Sequence, residues 1–119
     1  MSEPEFADSD GLDEPTEPYA DDTPLVELFG DGARARILAA VVGNRTHDLS
    51  VSELAREAGV ARPTVYDHLD DLIDIGAIEV SRETAQGKRY TLADDELGEL
   101  LYRTEGVALR NLLEAEGKL

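Results

Sequence analysis

The chain has no cysteine, no tryptophan and few aromatic residues, which make up 5% of its 119 residues. Without cysteine it has no disulfides, no thiolate metal ligands and no cysteine nucleophile. No run of about 18 apolar residues is present, and the acidic N-terminal region does not resemble a signal peptide. We therefore expect a cytoplasmic protein without a membrane span, whose core consists of Leu, Val, Ile and Ala.

Positive charge is also scarce, because 11 basic residues stand against 27 acidic ones and the net charge is −16. Such a charge repels polyanions and taken alone argues against nucleic acid as a partner. An acidic, lysine-poor composition is also typical of proteins from salt-in halophiles, mostly haloarchaea. Molar salt shortens the Debye length to about 3 Å and screens the repulsion. We favour this halophilic, archaeal interpretation over an ordinary acidic protein that avoids DNA.

The acidic residues are unevenly distributed along the chain. Residues 1–22 contain nine acids, no base and three prolines, which leaves 18 acids against 11 bases, a net −7, in residues 23–119. Because such a segment buries too little apolar surface to offset its ordering entropy, we predict a disordered acidic tail over 1–22. A domain over 23–93 and a C-terminal helix over 94–119 are expected to follow.

Apolar residues at helical spacing predict a short apolar turn and then three helices in the first part of this domain. Asp31 suits the N-cap of the first helix, and Ser50 with Glu53 forms a capping box for the second. Gly59 ends that second helix and begins a three-residue turn. The expected bounds are 25–29 for the apolar turn, 33–42 and 50–59 for the first two helices, and 62–75 for the third.

The pattern then changes from helical to alternating. Residues 78–82 and 89–92 alternate around a glycine-containing loop, which indicates a β-hairpin, and a helix of about five turns follows Asp94 or Asp95. Two short helices joined by a tight turn form a helix-turn-helix, and a hairpin directly after them forms a wing. The predicted fold class is therefore α+β, mostly α: a winged helix-turn-helix with a C-terminal dimerisation helix.

Two segments carry a resemblance to known regulators. Residues 29–38, FGDGARARIL, resemble the entry helix of ArsR-like winged-helix regulators. Residues 49–78, LSVSELAREAGVARPTVYDHLDDLIDIGAI, resemble the helix-turn-helix of the ArsR, MarR and related archaeal families. The resemblance, over about residues 25–92, implies a transcriptional regulator that binds double-stranded DNA as a homodimer and is not an enzyme.

In these families the start of the third helix reads the DNA groove, and the wing touches the minor groove or the backbone. Arg62 suits a guanine edge or a phosphate, while Thr64 and Tyr66 suit a phosphate or a thymine methyl. The full set of expected DNA contacts is Ser50, Ser52, Arg62, Pro63, Thr64, Tyr66, Asp67, Arg82, Gln86, Lys88 and Arg89.

The third helix also carries an acidic stripe that argues against DNA. Asp67, where these families often have a base or a serine, projects outward with Pro63, Asp70 and Asp74. Asp67 can accept from a cytosine amino group, and at high salt cations can bridge the stripe to phosphate. The alternative is a winged-helix protein-interaction module that has lost DNA binding.

The last helix has an apolar stripe wider than one small domain needs. In related regulators such a helix pairs two subunits, so that two-fold symmetry matches a palindromic site. The alternative is that it packs back on its own domain. The expected dimer contacts are Leu97, Leu100, Leu101, Thr104, Val107, Ala108 and Leu112.

Other polar residues receive structural interpretations. Arg34 and Arg36 are expected to pair with nearby acids, His68 to pack between helices, and His47 to lie in a loop. Two distant histidines without cysteine do not indicate a metal site. No Ser–His–Asp arrangement or phosphate-binding loop is visible, so we expect no catalytic residues, cofactor or metal.

Overall fold

The computed structural model describes residues 17–119, and the predicted tail over 1–16 lies outside them. Five helices and one hairpin follow in the order expected of a winged helix-turn-helix. The helices are α1 (Pro24–Phe29), α2 (Ala33–Gly43), α3 (Val51–Ala58), α4 (Arg62–Asp74) and α5 (Glu96–Ala115), and the strands are β1 (Ile78–Thr84) and β2 (Gly87–Leu92).

The packed structure begins earlier than the predicted boundary at residue 22. Ala20 is fully buried, and its N–H donates to the carbonyl of Glu57 at 2.9 Å. Asp21 pairs with Arg36 of α2. The prediction of a disordered tail was therefore wrong for residues 18–21. The burial of Ala20 and the ion pair of Asp21 offset the entropy lost when this stretch is ordered, which the acidic composition alone does not reveal.

Helices α2, α3 and α4 enclose the core, in which Ile37, Leu54 and Val65 are fully buried. Helix α3 begins with the predicted capping box, since Ser50 and Glu53 exchange hydrogen bonds at 2.9 and 3.1 Å. The expected cap of α2 was wrong, because its N-cap is Gly32 with no side-chain bond. Asp31 lies one residue too early to cap this helix.

The wing is an antiparallel pair in which Ile78 lies opposite Leu92 and Thr84 opposite Gly87. Leu49, in the loop before α3, adds a single residue of a third strand. It exchanges two backbone hydrogen bonds of 2.8 Å with Tyr90 of β2. This bridge joins the wing to the helix-turn-helix and was not visible in the alternating pattern.

Helix α5 begins at Asp95, whose carboxylate accepts the N–H of Gly98 at 2.8 Å, and packs against α1 and α2. Among its residues only Gly98 is buried. Leu101 packs against the core, while Leu100 and Val107 are 48% and 43% exposed. Within residues 17–119, none of the helices combines the length and the hydrophobicity that crossing a bilayer requires.

Candidate nucleic-acid interface

The turn between α3 and α4 depends on Gly59. Its φ of 75° is left-handed, and its N–H closes α3 by donating to the carbonyl of Ala55 at 2.8 Å. A Cβ at this position would lie 2.6 Å from Cγ of Pro18. Glycine is therefore required both by the backbone conformation and by the close approach of residue 18.

Helix α4 presents one face to the core and the other to solvent. Val65, Leu69 and Leu72 are buried. The exposed residues of its first turns are Arg62, Pro63, Tyr66 and Asp67, and Thr64 is half-buried. The acidic stripe is exposed as the sequence predicted, since Pro63, Asp67, Asp70 and Asp74 all face solvent.

Arg34 of α2 reaches across to α4. Its Nε donates to Nδ1 of His68 at 3.0 Å, and its guanidinium pairs with Asp71 at 2.6 Å. The expected pairing of Arg34 with an acid is confirmed, and half-buried His68 takes part in helix packing as predicted. Among residues 17–119, no group of three or more His, Asp and Glu side chains is placed to hold a metal ion.

The two wing arginines converge on Asp48, in the loop before α3. Nε of Arg82 and Nε of Arg89 donate to its carboxylate at 2.8 and 2.7 Å, and Ser81 donates at 2.7 Å. Arg89 also pairs with Glu53 of α3 at 2.7 Å. These five residues, called here the Asp48 cluster, tie both wing strands to the helix-turn-helix.

Hydrogen bonds from Arg82, Arg89 and Ser81 hold the pKa of the Asp48 carboxyl well below its ordinary value. The same cluster acts on Glu53, whose pKa is lowered first by the N–H of Ser50 and further by Arg89. Both carboxylates therefore stay charged at ordinary acidity and hold the arginines in place.

Two predicted DNA contacts, Arg82 and Arg89, thus already have carboxylate partners. Their side chains differ in access, being 61% exposed for Arg82 and 23% for Arg89. The Ser50 hydroxyl is likewise engaged, in the cap of α3. Sequence reasoning missed Asp48 because no local pattern signals partners 33 to 41 residues away.

Three basic residues of the helix-turn-helix and wing make no ion pair with any of residues 17–119. They are Arg56 on α3, Arg62 at the start of α4 and Lys88 on β2, and all three are exposed. Ser52 on α3 and Gln86 at the wing tip are also exposed. These side chains are the ones that a negatively charged partner can reach without breaking an existing ion pair.

The predicted dimer contacts divide into two groups. Leu97, Leu101 and Leu112 are half-buried against the same chain. Leu100 and Val107 instead line an open groove of about 450 Å³ between α1 and α5. Leu28 of α1, 54% exposed, also lines this groove together with Arg103, Thr104, Ala108 and Asn111.

Comparison with known proteins agrees with the helix-turn-helix. Residues 29–81 match a family model described as a helix-turn-helix domain. No curated protein matches the chain. Among solved structures, the multiple antibiotic-resistance repressor (MarR) from Listeria monocytogenes 4b F2365 is similar, with 17% identity and a TM-score of 0.49 over 85% of this chain and 68% of that one. The family match spans α2 to the first half of β1, the part of the chain in which the structure has the helix-turn-helix.

Proposed function

We propose that the chain is a sequence-specific DNA-binding transcriptional regulator that acts as a homodimer in a halophilic archaeon. The observation that supports it most is the match of residues 29–81 to a helix-turn-helix domain whose second helix, α4, has an open first turn. A helix presented in this way fits the major groove, and the wing beside it fits the backbone.

The exposed residues are proposed to make two kinds of contact, to bases and to phosphates. Arg62, Tyr66 and Asp67 in the first turns of α4 are proposed to contact base edges or the thymine methyl. Ser52 on α3 and Lys88 on the wing are proposed to hold phosphates, which fixes orientation without reading sequence. The remaining proposed contacts are Ser50, Pro63, Thr64, Arg82, Gln86 and Arg89.

The salt dependence of DNA binding should reveal whether Arg82 and Arg89 stay paired with Asp48 in the complex. If the three unpaired cations of the helix-turn-helix and wing, Arg56, Arg62 and Lys88, all lie at phosphates, a dimer places six there, and log K should fall against log salt with a slope of about −5. If Arg82 and Arg89 left Asp48 to bind phosphate, ten cations would give a slope of about −9. Titrations over a range of KCl concentrations distinguish these values and show whether the Asp48 cluster stays closed on DNA.

The decisive experiment is selection from a random pool of DNA duplexes in molar KCl. We expect enrichment of one two-fold symmetric sequence, and Tyr66→Ala should weaken binding to it. Tyr102→Ala is the matched control, since Tyr102 is 44% exposed on α5 beside Arg45 and far along the chain from α4. A pool that stays unenriched would refute the proposal.

The proposed dimer uses the groove between α1 and α5, because exposed Leu28, Leu100 and Val107 form an apolar surface on a monomer. Leu100→Asp with Val107→Asp should halve the mass measured by light scattering. Leu109→Asp, at a position 46% exposed and outside the groove, should leave the mass unchanged. A wild-type chain that is monomeric at tens of micromolar in high salt contradicts this part.

A second candidate is a protein-interaction module without DNA binding. The exposed acids on α4 favour it, since Asp67, Asp70 and Asp74 lie on the helix that would enter the groove. In that case Asp67→Asn with Asp70→Asn leaves DNA affinity undetectable, as in the wild type. For a DNA-binding regulator the same change alters affinity in the selection assay, so one double variant separates the candidates.

A further inference from the structure

Residues 18–21, called here the N-terminal strap, lie across the turn of the helix-turn-helix. Pro18 lies against Gly59, and the N–H of Ala20 donates to the carbonyl of Glu57. Arg36 secures the strap by pairing with Asp21 while donating to the carbonyl of Ala58 at 2.6 Å. The segment that precedes the strap is therefore attached beside the start of α4.

That segment, residues 1–16, is a polyanion. It contains six acids and no base: Glu3, Glu5, Asp8, Asp10, Asp13 and Glu14. Arg56 and Arg62 lie three residues before and after Gly59, on either side of the turn that the strap crosses. Both are exposed and make no ion pair within residues 17–119, so the acidic segment is attached near two available cations.

The tether is long enough to reach the wing as well. Sixteen extended residues span roughly 50 Å, and the longest dimension of residues 17–119 is 37 Å. A ligand tethered by a chain of this length has an effective concentration of about a millimolar. Asp67 and Asp70, about one and two turns further along α4, repel a polyanion, so the available cations of the helix-turn-helix and wing are Arg56, Arg62 and Lys88.

We propose that residues 1–16 bind Arg56, Arg62 and Lys88 and compete there with DNA phosphates. The competition rests on the proposed function; the intramolecular contact does not. If the tethered segment has an effective concentration of about a millimolar and an intrinsic dissociation constant of about 0.1 to 1 millimolar, competition weakens DNA binding about two- to tenfold. A sequence that also supplies base contacts to α4 displaces the segment more readily than one that supplies phosphates alone.

The contact is tested without DNA. Because the chain has no cysteine, Ser9→Cys creates one spin-label site in the intact protein. The label should broaden the NMR amide signals of Arg56, Arg62 and Lys88 and spare those of residues 115–119. Replacing the six acids by Asn and Gln in the labelled chain should remove the broadening. Broadening that is absent, or that is equal over both regions, overturns the inference.

The competition is tested on random-sequence DNA at a KCl concentration where the protein is folded. Neutralising the six acids should raise affinity about two- to tenfold. A control with the same change in net charge neutralises six other acids: Glu27, Asp31, Asp94, Glu96, Glu114 and Glu116. Equal gains for both variants overturn the inference. If no variant binds DNA, the proposed function fails, and the spin-label contact alone decides the inference.

Discussion

The arginines of the wing and those of helices α3 and α4 are held in opposite ways. On the wing, Arg82 and Arg89 are both held by Asp48. Arg56 and Arg62 of the helix-turn-helix make no ion pair with any of residues 17–119. The densest basic stretch of the sequence is therefore not the part with the most available charge. Density of basic residues along a chain predicts charge on a surface only after their partners are known.

Because their arginines differ in pairing, the wing and the helix-turn-helix are expected to contribute differently to DNA binding. The Asp48 cluster and the Leu49–Tyr90 bridge join the same strand to the loop before α3. Arg89, 23% exposed, therefore acts mainly in positioning the wing. Arg62, with no such partner within residues 17–119, is available for recognition.

The largest effect is expected from Asp48→Asn. The change removes the negative charge that three donors share and leaves one acceptor oxygen in place of two, so both arginines lose their ion pair with this residue. The thermal midpoint should fall by several degrees, and DNA affinity should fall with it because the wing is no longer fixed. Circular dichroism melting in molar KCl measures the first effect, with Asp94→Asn as a control at an exposed carboxylate.

The same variant has a defined pH dependence. Folding lowers the pKa of the Asp48 carboxyl, so its stabilisation is fully present above the ordinary value of about 4. It is lost as pH falls through the lowered value of the folded state. The gap in stability between wild type and Asp48→Asn should therefore narrow below about pH 4. A gap that widens there would contradict the role given to Asp48.

Local patterns predicted much of this fold. The capping box at Ser50, the turn at Gly59 and the hairpin after α4 each depend on residues close together in sequence. The Leu49 bridge and the Asp48 cluster depend on partners 33 to 41 residues apart, which periodicity does not encode. The wing was therefore predictable as a hairpin, whereas the anchoring of its arginines was not.

In the candidate site, too, some features follow from local sequence and others depend on residues far apart in the chain. The exposure of Arg62, Tyr66 and Asp67 follows from helical periodicity, because Val65 and Leu69 occupy the buried face. The N-terminal strap did not follow from composition. Its burial depends on a three-dimensional match between Ala20 and the end of α3, and on the charge of Arg36.

The second expected effect concerns discrimination. Arg62→Ala should cost about 1–3 kcal/mol of specific affinity and relax the base preference at one position of the selected site. Binding to random DNA should fall much less. Competition titrations with the selected site and a scrambled duplex measure both. An equal loss on the two duplexes would make Arg62 a phosphate contact.

The smallest effect is expected from Lys88→Ala. Lys88 precedes Arg89 in β2, yet it is exposed and makes no ion pair within residues 17–119, so its removal should leave the thermal midpoint unchanged. Its loss should weaken all duplexes about equally and reduce the salt slope by about 1 per protomer. Arg89→Ala is the contrasting variant, because it breaks bonds to Asp48 and Glu53 and should lower the midpoint. The two variants thus test the comparison directly. Lys88→Ala removes a positive charge that makes no ion pair within residues 17–119, whereas Arg89→Ala removes a positive charge together with the ion pairs that hold the wing. Equal melting behaviour in the two variants would show that the Asp48 cluster does not position the wing.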